Sequence, residues 1–317
     1  MNKEVILQLF RKQASQPGIY KDFVEQLGVK VDTVMEIEAI PFMPVQFFKN
    51  HAIHPKGITS FDKVFESSGT SQSTTSKHYV AHLMHHRDQC LTIFKECFGG
   101  LDQFHFFSYL PSYYANPNSS LLHMVEYFME EARQTKHHYD DLSLLNNDVE
   151  QVLNEKEKQP FIIGVTYALL DWAEHNPIDL KHSILVETGG MKGRRAPMHR
   201  EELHQTLRNA FSIDSIYSEY GMTECLGQAW SKDGEGTFEI NAQFQVYIRP
   251  INQLYKHAKA GQRGVIQIVD LGNDKSCGVS FLETEDIGEM INDRSFKVHG
   301  RADGSEARGC NLMMEEQ

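Results

Sequence analysis

The sequence predicts an α/β fold with a smaller β-rich lobe toward the C-terminus. In the first part of the chain, short apolar runs of strand length alternate with stretches of helical periodicity. Later, apolar and polar residues alternate in strand fashion between Gly turns. We therefore divide the chain into an α/β core over residues 1–230, a β-rich lobe of the same domain over 231–298 and a tail over 299–317.

Composition limits the classes of function. The chain has 317 residues and a formal net charge of −12, which disfavours binding to nucleic acid or to an anionic membrane surface. No apolar run approaches membrane-spanning length, and the N-terminus lacks the pattern of a secretory signal. The five cysteines are irregularly spaced and indicate neither a disulfide framework nor a zinc site. We expect a soluble, cytoplasmic protein with no membrane span and no nucleic-acid partner.

Helical periodicity and apolar runs predict the elements of the core. Two helices are expected over residues 2–29, separated by Pro17–Gly18, and residues 133–158 are expected to be solvated around a short apolar patch at Leu142–Leu145. The predicted buried strands are Phe104–Leu110, Phe161–Val165, Ser183–Glu187 and Phe211–Ile216, and the predicted helices are Tyr79–Phe98, Leu121–Ala132, Tyr167–Glu174 and His199–Ala210. The predicted strands of the lobe are Phe238–Ile240, Gln243–Ile248 and Gly264–Val269.

A polar octet, Tyr217–Glu224, follows one of these strands. Gly221 permits close approach of a ligand to the backbone, Thr223 offers a hydroxyl, and Glu224 offers a hard oxygen suited to Mg²⁺. Ligands of open α/β sheets bind where strands end. A surface turn after a core strand is the alternative interpretation.

Two other stretches have the composition of ligand-binding turns. Residues 64–77 form a hydroxyl-rich segment that contains Gly69 and ends in Lys77, which can surround phosphates with N–H groups and a cation. It is not a Walker A loop, and a flexible linker is the alternative. Gly189 and Gly190 follow the strand Ser183–Glu187 and allow a ligand ring to lie on bare backbone, unless they form only a tight turn.

Further candidates remain open. The segment Ile40–Lys49 contains two prolines and several aromatic residues, for which burial is favoured over acyl binding. His78, His82 and His85 would share one face of the predicted helix Tyr79–Phe98, where exposed histidines are favoured over a metal site.

The run Tyr220–Glu224, Tyr-Gly-Met-Thr-Glu, closely resembles the signature of the adenylate-forming superfamily of acyl-CoA synthetases and adenylation domains. The resemblance implies that Tyr220 packs against adenine, Thr223 contacts the α-phosphate and Glu224 binds Mg²⁺. The segment before Lys77 is similar to the superfamily's phosphate loop, although Gln72–Ser73 replace its second Gly region and no Pro precedes the Lys.

Three more segments match the superfamily in the expected order. The Gly-rich turn at Gly189–Gly190 would cradle adenine and the acyl carboxylate end. Asp286 lies in a segment similar to Thr-Gly-Asp-x-Gly and would accept hydrogen bonds from ribose, while Arg301 begins a Gly-Arg-x-Asp hinge and would meet ribose or phosphates. The superfamily normally continues with a mobile domain carrying a catalytic Lys, so the end of this sequence just past the hinge is a departure.

Three segments, Pro41–Lys49, Glu187–Arg194 and Arg308–Cys310, together with the end of the sequence just past the hinge, resemble the acyl-protein synthetase family, the synthetase component of the luminescence fatty-acid reductase complex. The resemblance extends along nearly the whole chain from about residue 40. In that family an acid activated as acyl-AMP is moved to a cysteine near the C-terminus. Cys310 would be this nucleophile, because Arg308 favours its thiolate. A residue at a frayed end is the alternative interpretation, and Cys225 is the rival near the site.

The resemblance implies an enzyme that uses ATP and Mg²⁺ to activate a carboxylic acid, of the fatty-acid class, and passes the acyl group to a cysteine and then to an acceptor or reductase protein. The alternatives are an AMP-forming ligase that uses a diffusible thiol such as coenzyme A, and a non-catalytic nucleotide- or acyl-binding subunit. The predicted catalytic residues are Cys310, Thr223, Glu224 and Lys77, with Glu224 also the metal ligand. The predicted nucleotide-binding residues are Ser67, Ser68, Gly69, Thr70, Ser71, Gly189, Gly190, Glu219, Tyr220, Gly221, Met222, Asp286 and Arg301.

Overall fold

The computed structural model describes residues 2–67, 75–191, 194–196 and 198–301, together with the backbone of residues 313–314. Its α-helices are α1 Lys3–Ser15, α2 Ile19–Gln26, α3 Phe47–Asn50, α4 Leu83–Phe98, α5 Ser120–Glu131, α6 Leu142–Glu155, α7 Thr166–His175 and α8 Arg200–Phe211. Short 3₁₀ helices lie at Val31–Thr33, Ile37–Ala39, Leu101–Gln103 and Gly272–Lys275.

The strands of the first half are β1 Met43–Pro44, β2 Lys63–Glu66, β3 Lys77–Val80, β4 Phe104–Tyr109, β5 Gln159–Val165, β6 Ile184–Thr188 and β7 Met198–His199. Those of the second half are β8 Tyr217–Tyr220, β9 Ala229–Ser231, β10 Thr237–Glu239, β11 Phe244–Arg249, β12 Arg263–Asp270, β13 Phe281–Asn292, β14 Ser295–Arg301 and β15 Met313–Met314.

One eleven-stranded mixed sheet organises the fold, in the order β11-β12-β13-β14-β10-β9-β8-β6-β5-β4, with β1 added in parallel to β13. Strands β4, β5, β6 and β8 are parallel, as expected when helices connect successive strands. From β8 onward the pairing of consecutive neighbours is antiparallel. The parallel and antiparallel parts therefore meet at β8, the strand that leads into the polar octet.

Two hydrophobic clusters cover this sheet. The first packs helices α4–α8 against β4, β5 and β6, and its members include the buried Trp172 and Trp230. The second packs α1, α2 and the segment around Phe48 against β11–β14, where Phe281 contacts the rings of Phe10 and Tyr20. The aromatic residues of the Ile40–Lys49 segment thus serve packing, as the sequence favoured: Phe42 and Phe48 are buried.

Three predicted elements are wrong. The helix expected over Tyr79–Phe98 begins only at Leu83, because Lys77–Val80 forms a strand that pairs with Lys63–Glu66. His78 is therefore not on the helix that carries His85. The predicted strand Phe211–Ile216 lies instead at Tyr217–Tyr220, since Phe211 ends α8 in the first hydrophobic cluster.

The third error concerns residues 133–158, which are not merely solvated. They contain α6, whose N-cap Asp141 accepts hydrogen bonds from the N–H groups of Ser143 and Leu144. Leu145, Val149 and Val152 recur at helical spacing and are buried against the first cluster. Exposed polar residues between these positions concealed the periodicity.

Candidate active site

A cavity opens at the carboxyl ends of the parallel strands, where the sheet changes to antiparallel pairing. Its empty space is about 1030 Å³, which includes the part open to solvent at its mouth. In open α/β sheets ligands bind outside the carboxyl ends of the parallel strands. The wall formed by the strand ends contains Thr188, Glu219, Gly221, Met222, Thr223, Glu224, Thr284, Glu285, Asp286 and Arg301. The wall formed by helices and their loops contains His86, Cys90, Tyr113, Ser119, Ser120, Leu121 and Met124.

The cavity collects most of the predicted site residues that the structure describes. Of those residues, Ser67, Glu219, Gly221, Met222, Thr223, Glu224, Asp286 and Arg301 line it. Lys77, Gly189, Gly190 and Tyr220 are described but do not line it. Ser68, Gly69, Thr70, Ser71 and Cys310 lie outside the described residues.

Glu219 is a buried acid at the end of β8. The Thr188 hydroxyl at the end of neighbouring β6 donates a 2.5 Å hydrogen bond to Glu219 Oε2. Burial raises the pKa of Glu219 to about 7; the Thr188 hydrogen bond opposes this rise and the nearby Glu187 charge adds to it. A Cβ atom at Gly221 would lie 2.3 Å from Glu219 Oε1, so Gly221 is required for this side chain to fold back beside the backbone.

Glu187 remains ionised although it is buried one residue before Thr188 in β6. Burial opposes its charge, but His204 and Arg200 on α8 more than offset this effect and lower its pKa. Arg200 Nε and His204 Nε2 lie 3.8 and 3.7 Å from Glu187 Oε1, and the Thr166 hydroxyl donates to Oε2 at 3.0 Å. Two neighbouring strand ends therefore present one carboxylate and one carboxyl group that titrates near neutral pH.

The backbone of the octet is held by two buried residues that the sequence did not assign to the site. His78 on β3 places Nδ1 2.8 Å from the Thr223 carbonyl and Nε2 3.2 Å from Ser276 Oγ. Burial lowers the pKa of His78 to about 4, so the neutral ring donates to Thr223 and accepts from Ser276. Asn273 Nδ2 donates to the Glu224 carbonyl at 2.9 Å. The sequence analysis placed His78 on a helix and so missed this contact.

Asp270, at the end of β12, fixes the segment that follows Glu224. Its Oδ2 accepts hydrogen bonds from the N–H groups of Leu226 at 2.6 Å and Gly227 at 2.9 Å. Its Oδ1 accepts from Gln89 Nε2 at 2.7 Å and from the N–H of Gly272 at 2.9 Å. This fully buried side chain joins the octet to α4 and to the antiparallel part of the sheet. Nothing in the local sequence around Asp270 indicated this position.

Tyr220 lies beneath the cavity, with its ring against Phe238 and Phe296. Its hydroxyl donates to Asp286 Oδ2 at 2.8 Å. Arg301 forms an ion pair with Glu285, and its Nε lies 4.0 Å from Asp286 Oδ1. Tyr220, Asp286 and Arg301, which the resemblance assigns to adenine, ribose and phosphate, are therefore close to one another through these contacts.

The predicted phosphate segment begins at the end of the β2–β3 hairpin. Ser67 lines the cavity, and its backbone N–H donates to the Ser76 carbonyl while its hydroxyl accepts from the Ser76 N–H. The half-exposed Lys77 lies with Nζ 3.6 Å from Glu66 Oε1, and Glu66 also lines the cavity. The end of the hairpin thus contributes Glu66 and Ser67 to the cavity.

Gly189 and Gly190 follow β6 directly. Gly189 has φ +74°, which an L side chain rarely adopts, and this explains the glycine at the turn. Two described arginines further along have partners of their own: Arg194 lies over the Tyr167 ring at 4.7 Å, and Arg195 pairs with Asp171 and Glu174.

The four cysteines that the structure describes are poor nucleophiles. Burial raises the pKa of Cys90 and Cys225 well above the usual value, that of Cys97 to about 11 and that of Cys277 to about 12. Cys225 lines the cavity, but its thiol is buried. Cys310 precedes β15, whose Met313–Met314 pairs in parallel with Met198–His199 of β7.

The described residues contain no group of three or more His, Cys, Asp or Glu that could hold a metal by themselves. Glu224 fits Mg²⁺ nonetheless, because this ion usually binds one or two carboxylates together with the phosphates of a nucleotide. In the same part of the chain, no helix is long and apolar enough to cross a membrane.

No protein-family model matches the chain, and no curated protein matches it by sequence. Solved structures do match its fold. A structure of 2-hydroxyisobutyryl-CoA ligase with 2-HIB-AMP and CoA gives a TM-score of 0.68 at 12% identity, over 97% of this chain and 76% of that one. ATP-bound MatB from Rhodopseudomonas palustris gives 0.55 at 14% identity, over 79% of this chain and 50% of that one.

This chain therefore spans about half of MatB and about three quarters of the other ligase. The predicted α/β class is confirmed, and the fold is similar to that of adenylate-forming acyl-CoA ligases.

Proposed function

We propose that the protein uses MgATP to activate a carboxylic acid as an acyl-adenylate and then transfers the acyl group to Cys310. The observation that carries this proposal is the convergence of four separate sequence segments on one cavity. They are represented there by Ser67, by Thr223 and Glu224, by Asp286 and by Arg301. Independent surface turns would not be expected to meet at the strand ends of one sheet. The fold shared with acyl-CoA ligases supports the same assignment.

In the first step a carboxylate oxygen attacks the α-phosphorus of ATP, and the bond to pyrophosphate breaks. The Thr223 and Ser67 hydroxyls would donate hydrogen bonds to the phosphates, and Arg301 would offset their charge. Glu224 would hold Mg²⁺, which neutralises the charge on the phosphate oxygens when it is bound. Asp286 would bind the ribose hydroxyls on the floor formed with Tyr220.

In the second step the Cys310 thiolate attacks the acyl carbon, a thioester forms, and AMP leaves. The resemblance to acyl-protein synthetases favours a fatty acid and a later transfer to an acceptor or reductase protein. Within the described residues the high pKa values of Cys90, Cys97, Cys225 and Cys277 leave them less suited to this attack. The parallel pairing of β15 with β7 ties the tail to the residues just before α8, whose Arg200 contacts Glu187.

A second candidate is an AMP-forming ligase that uses a diffusible thiol. The similarity to a ligase whose structure contains CoA favours this alternative. A third is a nucleotide-binding subunit without turnover, which the ion pair between Lys77 and Glu66 favours because it engages the predicted catalytic cation.

Intact-protein mass after incubation with MgATP and a panel of acids separates the three candidates. Self-acylation adds the mass of one acyl group, which hydroxylamine removes and Cys310→Ala abolishes, whereas Cys97→Ala keeps it. Pyrophosphate release that requires coenzyme A and persists in Cys310→Ala would identify the diffusible-thiol ligase. ATP binding without pyrophosphate release for any acid would identify the binding subunit.

A further inference from the structure

The helical wall of the cavity contains a histidine, His86, whose Nδ1 has no hydrogen-bond partner in the part of the chain that the structure describes. His86 on α4 is 2% exposed and lines the cavity beside Cys90, one helical turn further on. Its Nδ1 is buried and has no hydrogen-bond partner among the described residues. Its ring packs edge-on against the rings of Phe65 and Tyr127, and the distances between ring centroids are 4.8 Å and 5.4 Å. The Tyr127 hydroxyl is likewise buried without a partner there.

Such groups are costly to leave unpaired. A buried polar atom without a hydrogen bond destabilises a protein by about 1–3 kcal/mol. The imidazole is neutral, because burial lowers the pKa of His86 to about 3. One of its nitrogens therefore carries a proton to donate and the other can only accept. A ligand group inside the cavity that can do either would satisfy this requirement.

The surroundings of His86 restrict the chemistry of that group. In the part of the chain that the structure describes, the helical wall consists of His86, Cys90, Tyr113, Ser119, Ser120, Leu121 and Met124, none of which is charged at neutral pH. The acidic side chains and Arg301 all lie elsewhere, at the strand ends and the hairpin. The helical wall itself offers no charged side chain to pair with a charged substituent, which favours an uncharged group along it.

An unsubstituted alkyl chain is also a poor match. It would suit Leu121 and Met124 but would leave His86 Nδ1 without a hydrogen-bond partner. A hydroxyl group both donates and accepts, so it pairs with either tautomer of a neutral imidazole.

We propose that the acid this protein activates carries a hydroxyl group on its tail, and that His86 selects it by hydrogen bonding. This inference rests on the proposed adenylation function of the cavity, with the carboxylate at the strand ends and the tail along the helical wall. It narrows the substrate class from acids in general to hydroxy acids. His86 is a specificity residue in this scheme and takes no part in the chemistry.

The test compares matched pairs of acids that differ only by a hydroxyl and a methyl group, such as 4-hydroxybenzoate with 4-methylbenzoate and 6-hydroxyhexanoate with heptanoate. Pyrophosphate release with MgATP gives kcat/KM for each acid. We expect the wild-type protein to favour the hydroxy acid of at least one pair by about tenfold or more, as sites built for a substrate hydroxyl do. Equal use of both members of every pair, or preference for the methyl compounds, would overturn the inference.

Variants of His86 provide the second arm. His86→Phe and His86→Met remove the polar atoms with little change in volume, and we expect each to lose the hydroxyl preference while still using the methyl compounds. His86→Gln keeps a donor and an acceptor and should retain it in part. His123→Phe is the matched control, because His123 packs against the same Phe65 and Tyr127 rings but does not line the cavity. If the preference for hydroxy acids survives in both His86→Phe and His86→Met, a residue other than His86 is responsible for it, and the inference is overturned.

A binding measurement separates failure of this inference from failure of the proposed function. Saturation-transfer NMR records the binding of the same acids without ATP, to wild-type protein and to His86→Phe. If no acid supports pyrophosphate release but hydroxy acids still bind wild-type protein more tightly than the variant, adenylation fails and the assignment of His86 stands. If no difference in binding is seen there either, the assignment of His86 fails as well.

Discussion

Two acidic residues on neighbouring strand ends differ in charge because their surroundings differ. Glu187 has Arg200 and His204 within about 4 Å and stays ionised. Among the described residues Glu219 has only the Thr188 hydroxyl as a hydrogen-bond partner, and burial, together with the smaller effect of the Glu187 charge, raises its pKa to about 7. A carboxyl group held in this way beside Gly221 places a hydrogen-bonding group at the cavity without adding a second full charge next to Glu187.

The raised pKa of Glu219 predicts how stability depends on pH. The folded protein binds the Glu219 proton more tightly than the unfolded chain does, so this contribution is complete below about pH 4.5 and is lost as pH rises toward 7. Glu219→Gln removes the dependence and can still accept from Thr188. We expect the variant to be more stable than wild type at pH 8, by up to about 3 kcal/mol, with a difference below about 1 kcal/mol at pH 4.5.

Urea unfolding at the two pH values measures this difference. The other titratable groups are the same in wild type and in Glu219→Gln, so their contributions to the pH dependence of stability cancel when the two proteins are compared. Glu201→Gln, at an exposed position of α8, is the control and should show no such change with pH. An equal stability difference at pH 4.5 and pH 8 would contradict the raised pKa.

At the scale of elements, Asp270 holds the cavity in shape. Its two oxygens accept four hydrogen bonds, which join the segment after Glu224 to α4, to the 3₁₀ helix at Gly272–Lys275 and to the end of β12. The helical wall that carries His86 and the strand-end wall that carries Thr223 are thereby fixed relative to each other, since Gln89 is on the same helix as His86.

Asp270→Asn should therefore be strongly destabilising. One carboxylate oxygen becomes an amide nitrogen that faces N–H donors, so at least one pair of hydrogen bonds is lost inside the core. We expect a loss of about 2–4 kcal/mol in the free energy of unfolding, measured by urea denaturation. Asp179→Asn is the control: this exposed side chain accepts only from the Lys181 N–H, which Asn can replace, so a change within about 0.5 kcal/mol is expected. Equal effects of the two substitutions would refute the role given to Asp270.

The sequence predicts correctly those elements whose pattern lies within their own residues, and it misses those that depend on partners remote in the chain. The buried strands β4, β5 and β6 and the helices α5, α7 and α8 have strong periodicity of their own and were located to within about two residues. The strand at Lys77–Val80 was missed because it is specified by pairing with Lys63–Glu66 rather than by its own pattern. His78 and Asp270 were missed for the same reason, since their partners Thr223 and Leu226 are remote in sequence.

Predictions for the site succeeded where a motif lies on or directly after a strand of the sheet, because strand pairing brings such segments together. Thr223 and Glu224 follow β8, and Asp286 within β13 pairs with Arg301 at the end of β14, so that all four line one cavity. His86 had no such signal: it is one of several histidines near the start of α4, and only the packing of Phe65 and Tyr127 around it distinguishes it from the exposed His82.

The whole molecule is organised by one continuous sheet, although its core is divided. β8, β9, β10 and β14 connect the parallel part to the antiparallel lobe without a break in pairing. Separation of the two parts would expose the ladder between β8 and β9 and leave its backbone groups without partners. The lobe over residues 231–298 should therefore unfold together with the core, as one cooperative unit.

Probes placed in the two hydrophobic clusters test this cooperativity. Trp172 and Trp230 are buried in the first cluster and report its unfolding by fluorescence, while the buried thiol of Cys277 reports the second. In a urea titration with brief thiol labelling and peptide mapping by mass spectrometry, we expect the Trp signal and Cys277 labelling to change at the same midpoint. The half-buried Cys97 of α4 is an internal control for labelling efficiency. Labelling of Cys277 at a clearly lower urea concentration than the fluorescence change would show that the lobe unfolds first and that the shared sheet does not couple the two clusters.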